Sequence, residues 1–308
     1  MEERFLQWLF DHVPPDGNIP LGIGDDGAVL PPCPAGLIVT VDMLLEGVHF
    51  RFTADGEFPG ATPYQIGRKA LAVNLSDMAA MAAVPMAALV AVAADSSRPD
   101  HDLPSIYEGL LNLAGEHNVA IVGGDTNATS GPLTISVTVL GQSANAWRRS
   151  GASVGDELWV TGRLGGSLCG HHLNFQPRLE ESRWLAKQDG VSAAMDLSDG
   201  LSIDLPRLAR ASECGAMVFA EKVPISDDAG ALHERDGIPV LRHALDDGED
   251  FELLLAIESQ HSRKIASEWP FRTALTQIGH LQELQSGVQL CDASGRRQPM
   301  EPAGFLHQ

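Results

Sequence analysis

Aspartates recur beside glycines or turn residues, mostly after short apolar runs, at points far apart in the 308-residue chain. The segments are GIGDDGAVL (22–30), VTVDMLLEGVHF (39–50), VNLSDM (73–78), IVGGDTNAT (121–129), MDLSDGLSIDL (195–205) and DGEDFELL (247–254). This pattern indicates carboxylates at strand ends, where glycine lets the backbone approach a ligand. Carboxylates gathered in one site repel one another unless divalent cations lie between them. The sequence therefore predicts a fold that brings distant strand ends together around Mg²⁺ and a polyphosphate.

The charge balance argues against two classes of partner. The formal net charge is −20, and no basic stripe is present, which is unfavourable for binding nucleic acid or an anionic membrane surface. Metal-binding aspartates account for part of this charge, and a solvated acidic surface accounts for most of it.

The cysteines and apolar segments predict a reduced, cytoplasmic protein. The four cysteines (Cys33, Cys169, Cys214 and Cys291) are widely spaced and include no C-x-x-C pair, which favours buried thiols over disulfides or zinc. The N-terminal MEERFLQWLF lacks the basic and apolar regions of a signal peptide. The run from Met78 to Ala94 is too short to span a membrane, and we expect a helix end, a turn at Val84-Pro85 and a buried strand.

Strand and helix patterns alternate along both halves of the chain, which predicts two α/β-type domains with mixed sheets and a boundary near residue 145. We expect strands at 37–43, 86–93, 119–122, 133–140, 158–161, 191–195, 216–220 and 251–257, followed by a small β-rich tail. We expect helices at 63–82, 103–117 and 201–212, and one that begins after 162–167.

The string Gly22 to Gly27 matches G-x-G-x-x-G, but we reject a dinucleotide site. The string follows Pro20 rather than a strand, no helix pattern opens after it, and its two aspartates would face a bare pyrophosphate. A plain glycine turn is the alternative for this stretch. A P-loop motif is also absent from the sequence.

Two residues of the predicted helix 63–82 carry charge at unusual places. Asp77 lies in an apolar stretch where a carboxylate is costly without a partner, which favours a functional role. Lys69 is either a phosphate contact or a surface charge, and we favour the surface charge.

The remaining motifs each have a structural alternative. Gly123-Gly124-Asp125-Thr126 is either a ligand-binding segment or a βα turn, and Asp247 to Asp250 could be a surface turn. Either Ser198 or Asp199 could cap the following helix, but only one can do so. His49 could be structural, and Arg149 is an isolated cation at the proposed domain crossing.

Taken in order, these motifs resemble the thiamine-monophosphate kinase family, which belongs to the superfamily of aminoimidazole ribonucleotide synthetase. The strings that carry the resemblance are GIGDD, VTVDMLLEGVHF, KALAVNLSDMAAM, GGDT, RRSGASVGD, TGRLGGS, MDLSDGL and GEDFELL. The match runs from about residue 20 to residue 280, and the final GFLHQ resembles the family's terminal Gly-aromatic-Asp-His-Phe.

The resemblance implies a two-domain fold and a phosphotransferase. Residues 1–145 would form an N-terminal ATP- and Mg²⁺-binding domain, whose sheet pairs with its twin in a homodimer, and 146–308 would form a C-terminal α/β domain. The implied reaction passes the γ-phosphoryl group of ATP to the phosphate of thiamine monophosphate, assisted by several Mg²⁺ ions, and gives thiamine diphosphate.

The resemblance also assigns roles to individual residues. It implies that the metals are held by Asp25, Thr40, Val41 (through its carbonyl), Asp42, Asp77, Asp125, Asp196 and Asp199. It implies that ATP is contacted by Tyr107, Gly124, Asp125, Arg149 and Ser198, and thiamine by His49, Glu249 and Phe305. The catalytic set would be Asp42, Asp77 and Asp125.

The chain departs from the family pattern at a few positions. Gly166 stands where the family usually has Asp, and Asp247 replaces the first Gly of G-G-[DE]-D-Y-E-L. Leu306 and Gln308 replace the terminal Asp and Phe. These departures leave the implied metal ligands intact.

Two alternatives to this function remain open. One is another ATP-dependent synthetase of the superfamily, although the selenophosphate and hydrogenase-maturation types would need a reactive cysteine near a terminus, which neither Cys33 nor Cys291 supplies. The other is a catalytically silent nucleotide-binding relative. For a kinase we expect direct in-line transfer, because a phosphate monoester with a second pKa of roughly 6 is already charged and needs no strong general base.

Overall fold

The chain folds into two compact units of mixed α/β structure, as the sequence predicts. The structure is a computed structural model that describes residues 8–9, 11–13, 17, 19, 30–54 and 58–304. The first unit takes in the described residues up to Met78, together with Ala83–Ala144 and Leu173–Gln176. The second takes in Ala79–Ala82, Asn145–His172 and the described residues from Pro177 onward.

The first unit contains a four-stranded sheet with the order β1-β4-β2-β3. Strands β1–β4 and β2–β4 are antiparallel, and β2–β3 is parallel because a helix connects these two strands. In chain order the elements are β1 (Gly36–Leu45), α1 (Pro63–Ala80), β2 (Val84–Ala94), α2 (Leu103–His117), β3 (Ala120–Ala128) and β4 (Thr134–Ser143).

Helices α1 and α2 cross in close contact. A Cβ atom at Gly67 of α1 would lie 1.7 Å from the carbonyl oxygen of Ile106 in α2, and one at Gly109 would lie 1.9 Å from the carbonyl oxygen of Tyr64. Only glycine fits at such distances, so the two backbones approach each other directly. Helix α1 is consequently buried from Ile66 to Ser76.

The two faces of the first sheet differ in burial. On one face the alternating residues Leu133, Ile135, Val137 and Val139 are fully buried, as their spacing predicts. The opposite face is exposed along the edge strand β1. Its apolar side chains there are each more than half exposed, and they are Leu37, Val39, Val41 and Met43.

The second unit contains a seven-stranded sheet with the order β11-β10-β7-β9-β5-β8-β6, in which only β7 and β10 pair in parallel. The strands are β5 (Glu157–Thr161), β6 (Val191–Asp196), β7 (Cys214–Phe219), β8 (Leu253–Ile257), β9 (Leu275–Glu283), β10 (Val288–Cys291) and β11 (Arg297–Pro299). The helices are α3 (His171–Asn174), α4 (Leu179–Leu185), α5 (Leu201–Ala211), α6 (Asp227–Asp236), α7 (Val240–Asp246) and α8 (Ser259–Glu268). The core lies between α5 and the sheet and includes Leu158, Leu205 and Leu254.

Most predicted elements form within one or two residues of the expected positions, but three local predictions are wrong. Strand β3 runs to Ala128, so the Gly123–Thr126 segment is neither a βα turn nor a loop. Pro85 lies inside β2, beside a β-bulge, rather than in a turn. The segment 162–167 leads only into a 3₁₀ turn (Ser167–Cys169) and the short α3.

Two composition-based expectations concern thiols and membranes. All four cysteines are free, with Cys214 and Cys291 buried and Cys33 and Cys169 partly buried. Among the residues that the structure describes, no helix combines the length and the apolar character that crossing a membrane requires.

Candidate active site

Strand β1 and helix α1 bring three of the predicted ligands together. Thr40 and Asp42 alternate along β1 on the same face, and Asp77 lies near the end of α1. The Thr40 hydroxyl donates a hydrogen bond to the Asp77 carboxylate. The predicted functional role of Asp77 in an apolar helix is thus matched by a polar partner from the sheet.

The two carboxylates of this cluster oppose each other's ionisation. Burial, together with the negative charge of Asp77, raises the pKa of Asp42 to about 7. A divalent cation between the carboxylates would reverse this effect, because it favours the ionised form of both. Carboxylate and hydroxyl oxygens are also the hard ligands that Mg²⁺ prefers, so the trio fits a magnesium ion.

Asn74 adds a further oxygen on the same face of α1. Asn74 and Asp77 are three residues apart, a spacing that places their side chains side by side. Asn74 is fully buried, its amide nitrogen donates to the Ala70 carbonyl at 3.1 Å, and its Oδ1 accepts no hydrogen bond from any described residue. A buried acceptor without a donor is costly and is consistent with a cation bound in this region.

Asp125 does not join this cluster. Asp42 lies in the row of paired residues Asp42, Val137, Val90 and Gly124. Asp125 lies in the next row, which contains Met43, Ser136 and Ala91. Adjacent rows point to opposite faces, and three strand spacings separate β1 from β3 by roughly 14 Å. Asp42 and Asp125 of one sheet therefore cannot bind the same ion.

The described part of the chain also contains no larger cluster of potential metal ligands. Nowhere within it do three His, Cys, Asp or Glu side chains lie close enough to hold a metal ion. Val41, whose carbonyl the resemblance assigns to metal, directs its side chain to the exposed face of β1. Asp25 and Phe305 lie outside the described residues.

Gly124 is required by the sheet itself. A Cβ atom there would lie 2.0 Å from the Val90 carbonyl oxygen of the neighbouring strand β2. The glycine is therefore explained by strand packing, and its implied contact with ATP stays a prediction. Asp125, next along β3, is exposed and accepts a hydrogen bond from Asn127 Nδ2 at 2.7 Å.

The predicted surface location of Lys69 is wrong. Lys69 is fully buried, and its Nζ donates to the His49 carbonyl at 2.7 Å. His49 lies in the turn after β1, where its Nδ1 accepts from the Leu45 backbone at 3.0 Å. Lys69 therefore fixes the turn that presents His49, the residue with an implied thiamine contact.

Tyr107 lies in a buried part of α2. Only 3% of Tyr107 is exposed, and burial raises the pKa of its hydroxyl above the usual value. Its ring meets that of Trp8 edge to face, with centroids 6.3 Å apart. The contact with ATP that the resemblance implies for Tyr107 stays a prediction.

In the second unit, two motif loops are joined by backbone hydrogen bonds. The Glu249 amide donates to the Ser198 carbonyl at 2.7 Å, and the Phe251 amide donates to the Leu197 carbonyl at 2.8 Å. The structure therefore brings together Ser198, assigned to ATP, and Glu249, assigned to thiamine. Asp196 lies beside them at the end of β6 and is buried.

The backbone of the Glu249 loop is strained. Glu249 and Phe251 have φ angles of +52° and +50°, which non-glycine residues seldom adopt. Such strain persists only where the surroundings hold it, and it often marks a functional segment. Gly248 and Asp250 of this loop are buried, so it is not the surface turn that its sequence also allowed.

Asp199 lies in a charged cluster at the start of α5. Arg207 Nη1 donates to Asp199 and, at 2.8 Å, to Asp204. Asp204 also accepts the backbone amides of Ser198 (3.1 Å) and Asp199 (2.9 Å), while the N-cap position itself is Gly200. The expectation that Ser198 or Asp199 caps the helix is wrong, because the N-cap residue is Gly200 and no side chain makes a capping hydrogen bond there.

Arg149 lies on an exposed segment whose backbone is anchored beside β6. The Ala194 amide donates to the Arg148 carbonyl at 2.9 Å, and the Ser212 hydroxyl donates to the Arg149 carbonyl at 2.9 Å. The Arg149 side chain has no hydrogen bond or ion pair with any residue in the described ranges. It is available to an anionic ligand.

Comparison with known proteins places the chain in a family. Residues 24–143 match the N-terminal domain of AIR synthase related proteins, and residues 136–289 match the C-terminal domain. A thiamine-monophosphate kinase of Rhodopirellula baltica is 38% identical over 317 residues, which cover 100% of this chain and 97% of the relative. The chain belongs to the thiamine-monophosphate kinase family.

Two solved structures of similar proteins extend the comparison. The thiamine-monophosphate kinase from Stenotrophomonas maltophilia K279a is 33% identical, with a TM-score of 0.77 and coverage of 93% of this chain and 94% of that one. A structure described as AaThiL complexed with AMPPCP and TMP is 27% identical, with a TM-score of 0.77 and coverage of 100% and 96%.

Several residues in this member of the thiamine-monophosphate kinase family escaped the sequence analysis. Asp204 and Arg207 had a usable signal, because they lie on α5 at spacings that return to the preceding loop. Lys69 was noticed but its burial had no signal, since α1 is buried from Ile66 to Ser76 and its hydrophobic pattern does not reveal a buried amine. Asn74 was visible only as a neighbour of Asp77.

Proposed function

We propose that this chain transfers the γ-phosphoryl group of ATP to thiamine monophosphate and so forms thiamine diphosphate. The observation that carries the proposal is full-length similarity to the AaThiL structure, which contains AMPPCP, a non-hydrolysable ATP analogue, together with TMP. The acidic cluster of Thr40, Asp42 and Asp77 supports it, because phosphoryl transfer between two anions needs cationic neutralisation.

Mg²⁺ is the proposed partner of this cluster. Thr40, Asp42 and Asp77 would hold it, with the free Oδ1 of Asn74 nearby on α1. When bound, Mg²⁺ would neutralise and align the phosphate oxygens of the two reactants. Asp25, Asp125, Asp196, Asp199 and the Val41 carbonyl remain proposed ligands by resemblance. In the structure Arg207 neutralises Asp199, so a cation at Asp199 would have to displace this arginine.

The chain's own residues would position the two reactants. Arg149, whose guanidinium has no partner in the described ranges, would donate hydrogen bonds to the nucleotide phosphates. By resemblance, Tyr107, Gly124 and Ser198 would also contact the nucleotide. His49, held by the Lys69 hydrogen bond to its carbonyl, would contact thiamine together with Glu249 and Phe305. Because the acceptor phosphate is already charged near pH 7, these residues need only bind and orient it for direct in-line attack.

A second copy of the chain is the proposed partner of the open face of the first sheet. Four apolar side chains of β1 are exposed there, and β1 is an edge strand. An apolar patch on an edge strand is an aggregation hazard unless a partner covers it. Asp125 lies on the same face of the sheet as these side chains. A cytoplasmic location remains a prediction from the sequence.

An acceptor panel tests the proposed activity. Purified protein is incubated with Mg²⁺-ATP and, in separate reactions, thiamine monophosphate, thiamine, formylglycinamidine ribonucleotide or selenide, and the formation of ADP and of AMP is followed. The proposal predicts ADP formation that depends on thiamine monophosphate. Turnover with formylglycinamidine ribonucleotide or selenide would indicate a synthetase of the superfamily, and turnover with thiamine would indicate a kinase that acts on the alcohol. No turnover with any acceptor would indicate a silent relative.

A further inference from the structure

A polar cavity of about 450 Å³ lies wholly within the second unit. Its lining includes Arg163, Asp250, Glu252 and Arg272, and none of the residues assigned above to ATP, thiamine or metal lines it. Cavities of this size bind metabolite-sized molecules, so the space is sufficient for a ligand separate from the proposed reaction site.

Asp250 supplies an unsatisfied acceptor in this cavity. It is 98% buried, since only 2% of its surface is exposed, and its Oδ1 accepts from the Gly165 amide at 2.8 Å. Its Oδ2 accepts no hydrogen bond from any residue in the described ranges. Burial raises the pKa of Asp250 well above its usual range, with Glu252 and Asp247 adding repulsion. A ligand that enters the cavity and donates an N–H to Oδ2 would satisfy this shielded atom and would favour the ionised form of the carboxyl, which burial otherwise opposes.

The Glu252 carboxylate of the cavity is already paired, whereas the Asp228 carboxylate at its lining is exposed. Arg178 donates to both carboxylate oxygens of Glu252, with Nε at 2.6 Å from Oε2. The Thr161 hydroxyl donates to the same Oε2 at 2.6 Å. This ion pair is rigid and neutral overall, so it forms part of the wall and leaves other groups to bind a charged ligand.

Two arginines of the cavity remain available to an anion. Arg272 is exposed and has no hydrogen bond or ion pair with any residue that the structure describes. Arg163 pairs at 3.0 Å with Asp227, whose side chain is 99% exposed, and such exposed pairs contribute little. Guanidinium groups bind phosphate through paired hydrogen bonds, so these two residues suit a phosphate group.

We propose that this cavity is a second ligand site for a phosphorylated amino-heterocycle, whose amino group donates to Asp250 Oδ2 and whose phosphate accepts from Arg163 and Arg272. Adenine nucleotides and thiamine phosphates share this chemistry, since each carries an exocyclic amino group and a phosphate chain. The proposal rests on the proposed function only for the choice of these two probes. Occupancy would be independent of the acidic cluster on β1 and α1.

Calorimetric titration of the full chain with ADP and with thiamine diphosphate, each in excess EDTA, tests this site. Chelation removes Mg²⁺ and with it the binding that depends on the acidic cluster. One saturable event per chain is expected with at least one probe, and the responding probe identifies the source of the ligand. The event should weaken by roughly tenfold or more in Arg272→Ala, in which charge-assisted hydrogen bonds are lost.

Two further variants and a control decide between outcomes. Asp250→Asn keeps an acceptor for Gly165 but places an N–H donor where Oδ2 was, so it should also weaken binding. Arg263→Ala removes an exposed arginine outside the cavity and should bind like the wild type. Asp42→Asn should leave the event unchanged even if it abolishes kinase activity. No binding of either probe, or equal binding by wild type and Arg272→Ala, would overturn the proposal whether or not the chain is a kinase.

Discussion

The Thr40 hydroxyl on β1 donates its hydrogen bond to the Asp77 carboxylate on α1, and the half-buried Asp42 interacts electrostatically with the same carboxylate. This contact joins the edge strand to a buried helix and fixes the two carboxylates close together. In the absence of a cation the pair is repulsive, which is why the pKa of Asp42 is raised. The same arrangement is favourable once a divalent ion neutralises it.

Replacing Asp77 with Asn should lower the rate of thiamine diphosphate formation by about a hundredfold or more, because electrostatic stabilisation of the transferring group is lost. In metal-free buffer, Asp77→Asn should be at least as stable as the wild type, since the repulsion with Asp42 is removed. Thermal unfolding with and without Mg²⁺ measures the stability of both proteins. Mg²⁺ should stabilise the wild type more than it stabilises Asp77→Asn. Asp189→Asn, an exposed change, is the control, and equal Mg²⁺ stabilisation of Asp77→Asn would contradict the assignment.

Glu46 should make the stability of the chain depend on acid pH. Burial opposes its ionisation, but hydrogen bonds from Arg98 (2.6 and 3.0 Å), the Leu133 amide (3.0 Å) and His101 (3.1 Å) outweigh it and hold the pKa of Glu46 below the usual value. A lowered carboxyl pKa in the folded state contributes stability above the unfolded pKa of about 4.3, and this is lost as the pH falls through the folded value.

The variant Glu46→Gln isolates this contribution. At pH 7 it should lower the free energy of unfolding by about 1.5–3 kcal/mol, the range for hydrogen bonds to charged groups. The difference from the wild type should shrink as the pH is lowered below about 4.3, because Glu46 itself becomes protonated. Urea unfolding at a series of pH values measures it, and a difference that stays constant across that range would show that the ion pair is not its cause.

Lys69 should act on thiamine binding through the His49 turn. Replacing the buried Lys69 with Met removes the donor to the His49 carbonyl and leaves that carbonyl without this hydrogen bond. We expect a several-fold rise in KM for thiamine monophosphate with a smaller change in KM for ATP. Lys187→Met, at an exposed position, should leave both constants unchanged. A variant that loses kcat alone would argue against a positioning role.

Leu37→Asp should disrupt the proposed dimer. Leu37 is 53% exposed on the open face of β1, so a charge there costs little in an isolated chain but opposes burial against a second copy. Light scattering after size-exclusion chromatography should show a dimer for the wild type and a monomer for Leu37→Asp. Val154→Asp, at a 50% exposed position of the second unit, should remain dimeric. A monomeric wild type would refute the dimer.

Local sequence patterns predicted the structural features that depend on residues close together in the chain. The alternation of Leu133, Ile135, Val137 and Val139 identified the buried face of β4, and the bounds of α2 follow from its apolar spacing and its early proline. The Gly123–Thr126 segment resembled a turn, but its parallel pairing with β2 extends the strand, and that pairing is a long-range effect.

The sequence predicted the motifs of the candidate site but not their arrangement in space. The separation of Asp42 from Asp125 follows from the strand order β1-β4-β2-β3, which residue spacing cannot reveal. The buried Lys69 contacts the His49 carbonyl in the turn after β1, a tertiary contact that residue spacing cannot reveal either. The strained backbone at Glu249 is held by hydrogen bonds that the Glu249 and Phe251 amides donate to the Ser198 and Leu197 carbonyls, a contact between segments far apart in the chain.

Phosphorus NMR of the wild-type chain with Mg²⁺-ATP and thiamine monophosphate tests the central claim most directly. The account predicts that the thiamine monophosphate signal is replaced by the paired signals of a diphosphate ester, in step with ADP formation, and that Asp42→Asn slows both about a hundredfold or more. Release of inorganic phosphate from ATP with the thiamine monophosphate signal unchanged would contradict it.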